Sequence, residues 1–304
     1  MIVKEKIKDF NLDHIFDCGQ CFRWSKEEDG SYTGIAFNKP ANISFQPYTE
    51  GGFEGKLSID NVTEAEFEQN WRDYLNLDRN YEQIKRDLAK KDSIMAEAIK
   101  SGQGIRILKQ DPWETLISFI ISQNNNIPRI KKCIEGLCEM FGSSAGSYRG
   151  KEYFTFPKAS VLAELTENDL SPIKLGYRAK YIIETAKKVV ADNTDSIKQE
   201  CMDANISTVA TLANLRKADI ATGYEYLISL SGVGPKVANC ILLFGMEKYE
   251  SFPIDVWVRR VMHQLYDIDE NDLKSMAAYA SENFGQYGGI AQQYLFYHIR
   301  QLEK

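Results

Sequence analysis

Residues 227–257 read LISLSGVGPKVANCILLFGMEKYESFPIDVW. The four residues 231–234 (Ser-Gly-Val-Gly) predict a tight turn, and Pro235 then predicts the start of a helix, because proline favours the first helical position. Apolar residues at helical spacing predict one buried face for that helix: Val237, Cys240, Ile241 and Phe244. The two glycines let the backbone approach a group outside the protein closely, and the exposed amides of the helix N-terminus suit a phosphate oxygen.

The order of helix, glycine turn and helix predicts a helix-hairpin-helix, a motif that clamps the backbone of duplex DNA without reading its sequence. Lys236 follows the turn, where we expect partial desolvation and the helix N-terminus to lower the pKa of the amine toward neutrality. A lysine that only grips phosphate is the alternative. Asp255 lies among apolar residues, which favours a charged group with a chemical role. The alternative is the N-cap of the next helix, and one carboxylate can serve in both roles.

The region around this motif is predicted to be almost wholly helical. Residues 111–114 (Asp-Pro-Trp-Glu) have the pattern of a helix start, with Asp111 as N-cap. A second apolar stripe runs from Ile127 to Phe141 and stops at Gly142. The four amides of residues 123–126 lie between these two helices. They are either capping residues or a polar cluster directed at a ligand.

The first hundred residues are predicted to be β-rich. Short β-prone runs cover 31–37, 41–45 and 53–59, with a turn at 38–40, and a helical pattern begins at Thr63. We place a domain boundary near 101–104 (Ser-Gly-Gln-Gly). This divides the chain into an N-terminal β-rich domain, 1–105, and a helical domain of two subdomains, 106–304. The fold class is therefore α+β, an antiparallel sheet domain joined to two mostly helical subdomains.

The 304 residues, with 43% hydrophobic side chains and a net charge of −6, are those of a soluble globular protein. No stretch is long enough for a membrane helix, and the charged start, MIVKEKIKDF, is unlike a signal peptide. We therefore expect no membrane association and a cytoplasmic location. Residues 1–105 carry 14 basic and 19 acidic side chains, and the rest carry 23 and 24, so the helical part can still present a positive stripe.

The cysteine pattern predicts no disulfide framework and no metal site. The six cysteines are scattered, the pair Cys18 and Cys21 has no second pair to complete a zinc site, and the C-terminal region lacks the four cysteines of an iron–sulfur cluster. No cofactor is expected.

Together, five motifs give the chain a family resemblance. The segment 227–257 resembles the helix-hairpin-helix DNA glycosylases, in the branch with a lysine after the hairpin and an aspartate after the next helix. Residues 10–24, 111–141, 175–181 and 289–296 are similar, in the same order, to segments of the 8-oxoguanine DNA glycosylases. The resemblance spans nearly the whole chain.

The resemblance implies a reaction and a pocket. Lys236 would attack C1′ of the flipped nucleotide, forming a Schiff base that allows strand cleavage by β-elimination, and Asp255 would stabilise the positive charge on the sugar. The Gly19 carbonyl would accept the N7 hydrogen that 8-oxoguanine has and guanine lacks. Cys240 and Phe296 would sandwich the base and Gln292 would read its edge. From the residues alone, the apolar helix faces that carry Cys240 and Phe296 favour a role in the core.

The resemblance also implies DNA contacts outside the pocket. Tyr177 would fill the gap left by the flipped base, and Asn124, Arg129 and Arg178 would contact the cytosine opposite. Backbone contacts would come from Gly232, Gly234 and Trp257. A monovalent cation is expected at the carbonyls of Leu230–Val233.

Two departures from the animal branch concern the phosphate grip. Trp257 stands where that branch has a histidine, and residues 297–300 are one residue shorter and lack an aspartate. They favour a bacterial-type member. We expect the protein to be a monomer, associated with the nucleoid, that acts on duplex DNA containing 8-oxoguanine. The alternatives are a related glycosylase for another damaged base and a non-catalytic DNA-binding scaffold. The missing cluster cysteines and the pairing of Lys236 with Asp255 argue against them.

Overall fold

The structure, a computed structural model, describes residues 1–197 and 210–302. Its N-terminal half contains these elements: β1 (Ile2–Ile7), α1 (Leu12–Phe16), β2 (Trp24–Lys26), β3 (Tyr32–Ala36), β4 (Lys39–Pro47), β5 (Gly55–Asp60), α2 (Glu64–Glu66), a π-helical turn (Phe67–Trp71), α3 (Arg72–Tyr74), α4 (Tyr81–Lys91), α5 (Ser93–Ser101), α6 (Pro112–Ser122), α7 (Ile127–Phe141), β6 (Ser144–Tyr148) and β7 (Lys151–Phe154).

After β7, all the regular elements of the described residues are helices. They are α8 (Ala159–Ala163), a 3₁₀ turn (Ser171–Ile173), α9 (Arg178–Ile197), α10 (Ala210–Lys217), α11 (Ile220–Ile228), α12 (Pro235–Met246), α13 (Val256–Tyr266), α14 (Leu273–Asn283), a second 3₁₀ turn (Gly285–Tyr287) and α15 (Gly288–Leu302). No helix among the described residues is long and apolar enough to span a membrane. Cys201 lies outside the described residues.

The five-stranded sheet is antiparallel throughout, with the order β1-β5-β4-β3-β2. The turn between β3 and β4 is shorter than the sequence predicted, because Phe37 and Asn38 both adopt positive φ values of 53° and 58°. Such a two-residue turn matches the twist of a hairpin. Lys39 and Pro40 therefore belong to the strand, paired with Ala36 and Ile35.

The α+β fold class is confirmed. Several elements were not predicted: the two edge strands β1 and β2, the short helix α1, and the hairpin of β6 and β7 within the region predicted to be helical. The charged sequence of β1, IVKEKI, alternates only weakly. The sheet core contains Trp24, Leu57 and Trp71, whereas α4 and α5 contribute Tyr81, Ile84 and Ile99 to the large core of the helical part. The division at residue 105 stays a prediction.

The predicted helix starts are present. Asp111 caps α6, since its side chain accepts a hydrogen bond from the Glu114 amide, and α7 ends at Phe141 before Gly142. Thr63 and Glu66 form a reciprocal capping box at the start of α2. These caps fix where the helices begin, and the site described next is built at such helix starts.

Candidate active site

The turn between α11 and α12 is tied to the neighbouring helices. Gly232 has a φ of +74°, and a Cβ atom added there would lie 2.5 Å from the Tyr181 side chain, so only glycine fits. The Gln123 side-chain amide donates a hydrogen bond of 2.8 Å to the Gly232 carbonyl. Gly234 is exposed and precedes Pro235, the first residue of α12. The predicted helix-hairpin-helix is therefore present, and Gln123 supports it.

Lys236 lies in the first turn of α12, half-buried, with its Nζ 5.5 Å from the centre of the Phe119 ring. The Cys240 sulfur and then the Asp255 carboxylate favour the ammonium form, and they raise the pKa of Lys236 against the opposing effect of burial. The prediction of a lowered pKa is wrong. The sequence indicates a desolvated helix start, but it does not reveal that two acidic groups converge on the amine.

Asp255 caps α13. Its Oδ1 accepts hydrogen bonds from the amides of Trp257 at 3.0 Å and Val258 at 2.9 Å. The capping alternative is thus confirmed, and the same carboxylate acts electrostatically on Lys236. Cys240 is 3% exposed in the helical core, and burial raises the pKa of its thiol. We call Lys236, Cys240 and Asp255 the lysine cluster.

The segment that carries Gly19 is held in place by the buried side chain of Gln20. The Gln20 amide donates 2.8 Å hydrogen bonds to the carbonyls of Ile15 and Arg106, and its oxygen accepts one from the Leu108 amide. Gly19 has a φ of +81°, and a Cβ atom added there would lie 4.0 Å from the Phe296 ring. The sequence analysis missed Gln20, although its position inside the Cys18–Cys21 motif was the available signal.

Two rings form an aromatic wall beside Gly19. The Trp257 and Phe296 rings meet edge to face with centroids 6.5 Å apart. The Arg300 guanidinium lies 5.5 Å from the Phe296 ring and donates a 2.8 Å hydrogen bond to the Asp17 carbonyl. The wall thus connects α13, α15 and the Gly19 segment. Because the Trp257 amide bonds to Asp255, the wall also adjoins the lysine cluster.

Gln292 lies on α15, one turn before Phe296, and is 4% exposed. Its Oε1 accepts a 2.8 Å hydrogen bond from the Gln293 amide, whose own Oε1 is buried without a partner among the described residues. Two buried glutamines side by side therefore leave hydrogen-bonding capacity that a bound group can use.

A second set of predicted site residues, which we call the loop cluster, lies on the loops before α7 and α9 and in the first turns of these helices: Asn124, Arg129, Tyr177 and Arg178. The Asn124 amide donates to the Tyr177 hydroxyl at 3.2 Å, and Tyr177 is 48% exposed. Arg129 is exposed and donates to the Lys174 carbonyl at 3.2 Å. These side chains are accessible from solvent.

Arg178 differs from the other three because it is only 5% exposed. Its guanidinium donates to the carbonyls of Gln123, Asn124 (3.0 Å) and Leu175 (3.1 Å), and it lies 4.6 Å from the centre of the Tyr177 ring. In this structure the arginine therefore fastens the loop at 123–124 to the start of α9.

Most of the amides at 123–126 are caps. Asn126 caps α7 by accepting from the Arg129 amide at 3.0 Å, and Asn125 donates to the Ile121 carbonyl at 3.1 Å. Asn124 is the exception, since it has a positive φ of 46° and faces Tyr177. The structure thus assigns capping and loop contacts to different members of the cluster.

In the turn where a cation was expected, several backbone carbonyls accept hydrogen bonds. The Ser231 and Gly232 carbonyls accept from Thr185 and Gln123, and the Leu230 carbonyl accepts from the Val233 amide at 3.2 Å. Carbonyl oxygens are the ligands that hard cations prefer, and the cation at Leu230–Val233 stays a prediction. Within residues 1–197 and 210–302, no three His, Cys, Asp or Glu side chains are grouped as metal ligands would be.

Family models match almost the whole chain. Residues 2–116 match the N-terminal domain of 8-oxoguanine DNA glycosylase, and residues 117–286 match the HhH-GPD superfamily of base excision DNA repair proteins. The chain belongs to this family. The predicted resemblance is confirmed, and the lysine cluster lies within the part matched by the superfamily model.

Two relatives named as N-glycosylase/DNA lyases share this family. A N-glycosylase/DNA lyase of Saccharomyces cerevisiae is 44% identical over 174 residues, which are 56% of this chain and 44% of the yeast protein. The N-glycosylase/DNA lyase OGG1 of Arabidopsis thaliana is 30% identical over 95% of this chain and 77% of its own length. This chain thus spans less than half of the yeast relative but most of the plant one.

A solved structure from the family aligns along the entire chain. It is the 8-oxoguanine glycosylase/lyase of Clostridium acetobutylicum in complex with double-stranded DNA containing cytosine opposite 8-oxoguanine. The two chains are 38% identical with a TM-score of 0.86, over 100% of this chain and 99% of the other.

Proposed function

We propose that this protein excises 8-oxoguanine from duplex DNA and then cleaves the strand at the resulting site, as a bifunctional DNA glycosylase and lyase. The observation that carries the proposal is the convergence of Lys236 and Asp255, from two consecutive helices, next to the Gly19 segment and the aromatic wall. A DNA clamp needs only the glycine turn, whereas a nucleophile beside a carboxylate serves covalent chemistry.

The chemistry begins with a proton transfer. Because the pKa of Lys236 is raised, the amine must lose a proton before its lone pair can attack C1′ of the flipped nucleotide. The new N–C1′ bond forms as the bond from C1′ to the base breaks, and Asp255 stabilises the positive charge on the sugar. Opening of the sugar gives a Schiff base. Loss of a C2′ proton then expels the 3′ phosphate by β-elimination.

Recognition of the base belongs, in this proposal, to the pocket between Gly19 and Phe296. The Gly19 carbonyl accepts the N7 hydrogen of the lesion and repels the N7 lone pair of guanine. Cys240 and Phe296 enclose the ring, and Gln292 reads its Watson–Crick edge with the help of Gln293. Tyr177 fills the vacated position in the stack.

The remaining contacts follow the strand opposite and the backbone. Asn124 and Arg129 contact the cytosine, with Arg178 holding their loop, while the turn at Gly232 and Gly234 and the Trp257 indole N–H bind phosphate. We further propose that the protein works as a monomer, in a cytoplasmic compartment and associated with the nucleoid of a bacterium. The domain division at residue 105 remains part of this proposal.

The test is borohydride trapping on a duplex with one 8-oxoguanine opposite cytosine, comparing wild type with Lys236→Gln. We expect a covalent complex with wild type alone, since only the reduction of a Schiff base leaves a stable bond between the protein and the DNA. The variant should lose at least about 10³-fold in base release, as when other enzymes lose a nucleophile. Because Lys236 is half-buried and glutamine is shorter, the melting temperature of both proteins is measured alongside.

Other outcomes of this experiment would support a different function. Released base without a trapped complex would give Lys236 a binding role in a glycosylase that lacks lyase activity. DNA binding without base release would support the non-catalytic scaffold. Release of another damaged base, and not of 8-oxoguanine, would identify a related glycosylase.

A further inference from the structure

Helix α15 buries three consecutive polar side chains, Gln292, Gln293 and Tyr294, which are 4%, 3% and 0% exposed. The Gln293 Oε1 and the Tyr294 hydroxyl have no hydrogen-bond partner among the described residues. A buried polar atom without a partner destabilises the folded state, and an apolar side chain of the same shape would avoid that penalty. The stability of α15 therefore does not explain the glutamine at position 293.

One hydrogen bond joins the two glutamines. The Gln293 Nε2 donates to the Gln292 Oε1 at 2.8 Å, and within residues 1–197 and 210–302 neither side-chain amide makes another hydrogen bond. A side-chain amide has an acceptor oxygen at one end and a donor NH₂ group at the other. If Gln292 alone turned over, two NH₂ groups would face each other and the bond would be lost. Gln293 therefore fixes which end of the Gln292 amide faces it.

Gln292 is the member of the pair that borders the proposed base pocket. It lies four residues before Phe296, so the two side chains share one face of α15. A Cβ atom added at Gly19 would lie 4.0 Å from the Phe296 ring, which places that face beside the Gly19 segment. The Gln292 oxygen keeps a second lone pair, and its nitrogen keeps two hydrogens for a bound base. A fixed amide thus presents acceptor and donor to the pocket in a fixed order.

The order of acceptor and donor distinguishes two oxidised purines. On the Watson–Crick edge of 8-oxoguanine, the O6 acceptor lies next to the N1–H donor. On that of 8-oxoadenine, an amino donor lies next to the N1 acceptor. One orientation of a glutamine amide pairs with the first edge, and the turned-over amide pairs with the second. Both lesions carry a hydrogen on N7, so the Gly19 carbonyl does not separate them.

We propose that Gln293 is a positioning residue that determines specificity: it holds the Gln292 amide in the orientation that binds 8-oxoguanine and rejects 8-oxoadenine. Gln293 does not touch the base and acts through Gln292. The inference rests on the proposed function, because it requires a flipped oxidised purine in the pocket between Gly19 and Phe296.

The experiment compares Gln293→Met with Tyr294→Phe. Methionine keeps the length of the side chain and removes its amide, whereas Tyr294→Phe removes the other unpartnered oxygen from the adjacent residue. The ligands are duplexes with a 2′-fluorinated 8-oxoguanine or 8-oxoadenine nucleotide opposite cytosine, because fluorine on the sugar prevents base release and permits measurement of dissociation constants. Gln293→Met should lower the affinity ratio of the two lesions about tenfold, within the discrimination that one bidentate base contact provides. Tyr294→Phe should keep the wild-type ratio.

Three further measurements separate positioning from a role in the fold. The melting temperature of Gln293→Met should stay within about 4 °C of wild type, because loss of one hydrogen bond and removal of the unpartnered oxygen offset each other. Its affinity for a duplex with an abasic analogue, which has no base, should equal that of wild type. In a Gln292→Ala background, Gln293→Met should not change the affinity ratio further, because it acts through Gln292.

An unchanged affinity ratio for Gln293→Met, or an equal fall for Tyr294→Phe, would overturn the proposal. So would weaker binding to the abasic duplex, a larger loss of melting temperature, or a further change of the ratio in the Gln292→Ala background. Failure of the proposed function is a separate result. In that case wild type would bind the 8-oxoguanine duplex no more tightly than a guanine duplex, and borohydride would trap no complex.

Discussion

The lysine cluster and the loop cluster differ in the partners of their side chains. Lys236, Cys240 and Asp255 lie at or near the starts of two consecutive helices, and their ionisable groups act on one another. The side chains of the loop cluster instead bond to the protein backbone or to one another, as Arg129 does to the Lys174 carbonyl. The side chains of the lysine cluster act on one amine, whereas those of the loop cluster must exchange protein partners for DNA partners.

The difference separates chemistry from recognition. In the lysine cluster a substitution that keeps the helix cap should change the reaction and leave the fold intact. In the loop cluster, Arg178 is buried against three carbonyls while Arg129 is exposed with one. The sequence predicted the same role for Arg129 and Arg178. In the structure only Arg178 holds a loop in place.

Among the variants that test this comparison between the two clusters, the largest effect is expected for Asp255→Asn. Asparagine is as good an N-cap as aspartate, so α13 should remain capped while the charge opposite the developing cation is lost. Single-turnover base release should fall about 10²- to 10³-fold. The melting temperature should stay within about 2 °C of wild type. A full-rate variant, or one that unfolds, would remove the distinction between the two clusters.

The same variant also carries a pH prediction. The Cys240 sulfur is the main cause of the raised pKa of Lys236, and Asp255 adds to it. Since the free amine is the nucleophile, the rate should rise with pH until the lysine is deprotonated. Removing the Asp255 charge should move this rise to lower pH, which rate measurements across the alkaline range will detect.

For the loop cluster we expect a smaller effect, which is a loss of folding stability and not of reaction rate. Arg178→Ala leaves the Gln123 and Leu175 carbonyls without a donor, and it should lower the free energy of unfolding by about 2–4 kcal/mol in urea titrations. Arg129→Ala is the matched control for charge. It should change stability by no more than about 0.5 kcal/mol.

The control has its own functional readout. Arg129→Ala should lower the ratio of excision rates opposite cytosine and opposite adenine about tenfold, because an arginine contact to a base is worth about 1–3 kcal/mol. If Arg129→Ala destabilises the protein as strongly as Arg178→Ala does, the two arginines share one structural role and the comparison fails.

Much of this architecture was predictable because local chemistry decides it. Asp111 followed by proline, and glycine turns before Pro235, specify helix starts within a few residues. The site residues were predictable where a motif is contiguous, as at Lys236 and Asp255. Local sequence does not reveal which distant residues come together in the fold. The raised pKa of Lys236, the duty of Arg178 and the clamp by Gln20 all depend on groups that are distant in the chain.

The smallest effect concerns His14, which joins the Gly19 side of the molecule to α15. Its Nδ1 accepts from the Gly104 amide at 3.1 Å, and its ring lies 4.7 Å from that of Tyr297, the neighbour of Phe296. Burial lowers the pKa of His14 to about 4, from 6.5. The unfolded chain therefore takes up the proton first, and stability is lost as the pH falls from 6.5 toward 4.

Because the ring is partly exposed to solvent, we expect a loss of about 1–2 kcal/mol over that interval. Urea unfolding at several pH values should show a flatter dependence for His14→Gln, whose side-chain oxygen can still accept from the Gly104 amide. Asn124→Ala, in the loop cluster, should retain the wild-type dependence. If both variants follow the same pH curve as wild type, then His14 does not link acid pH to the Gly19 side, and the acid sensitivity of the fold arises from other groups.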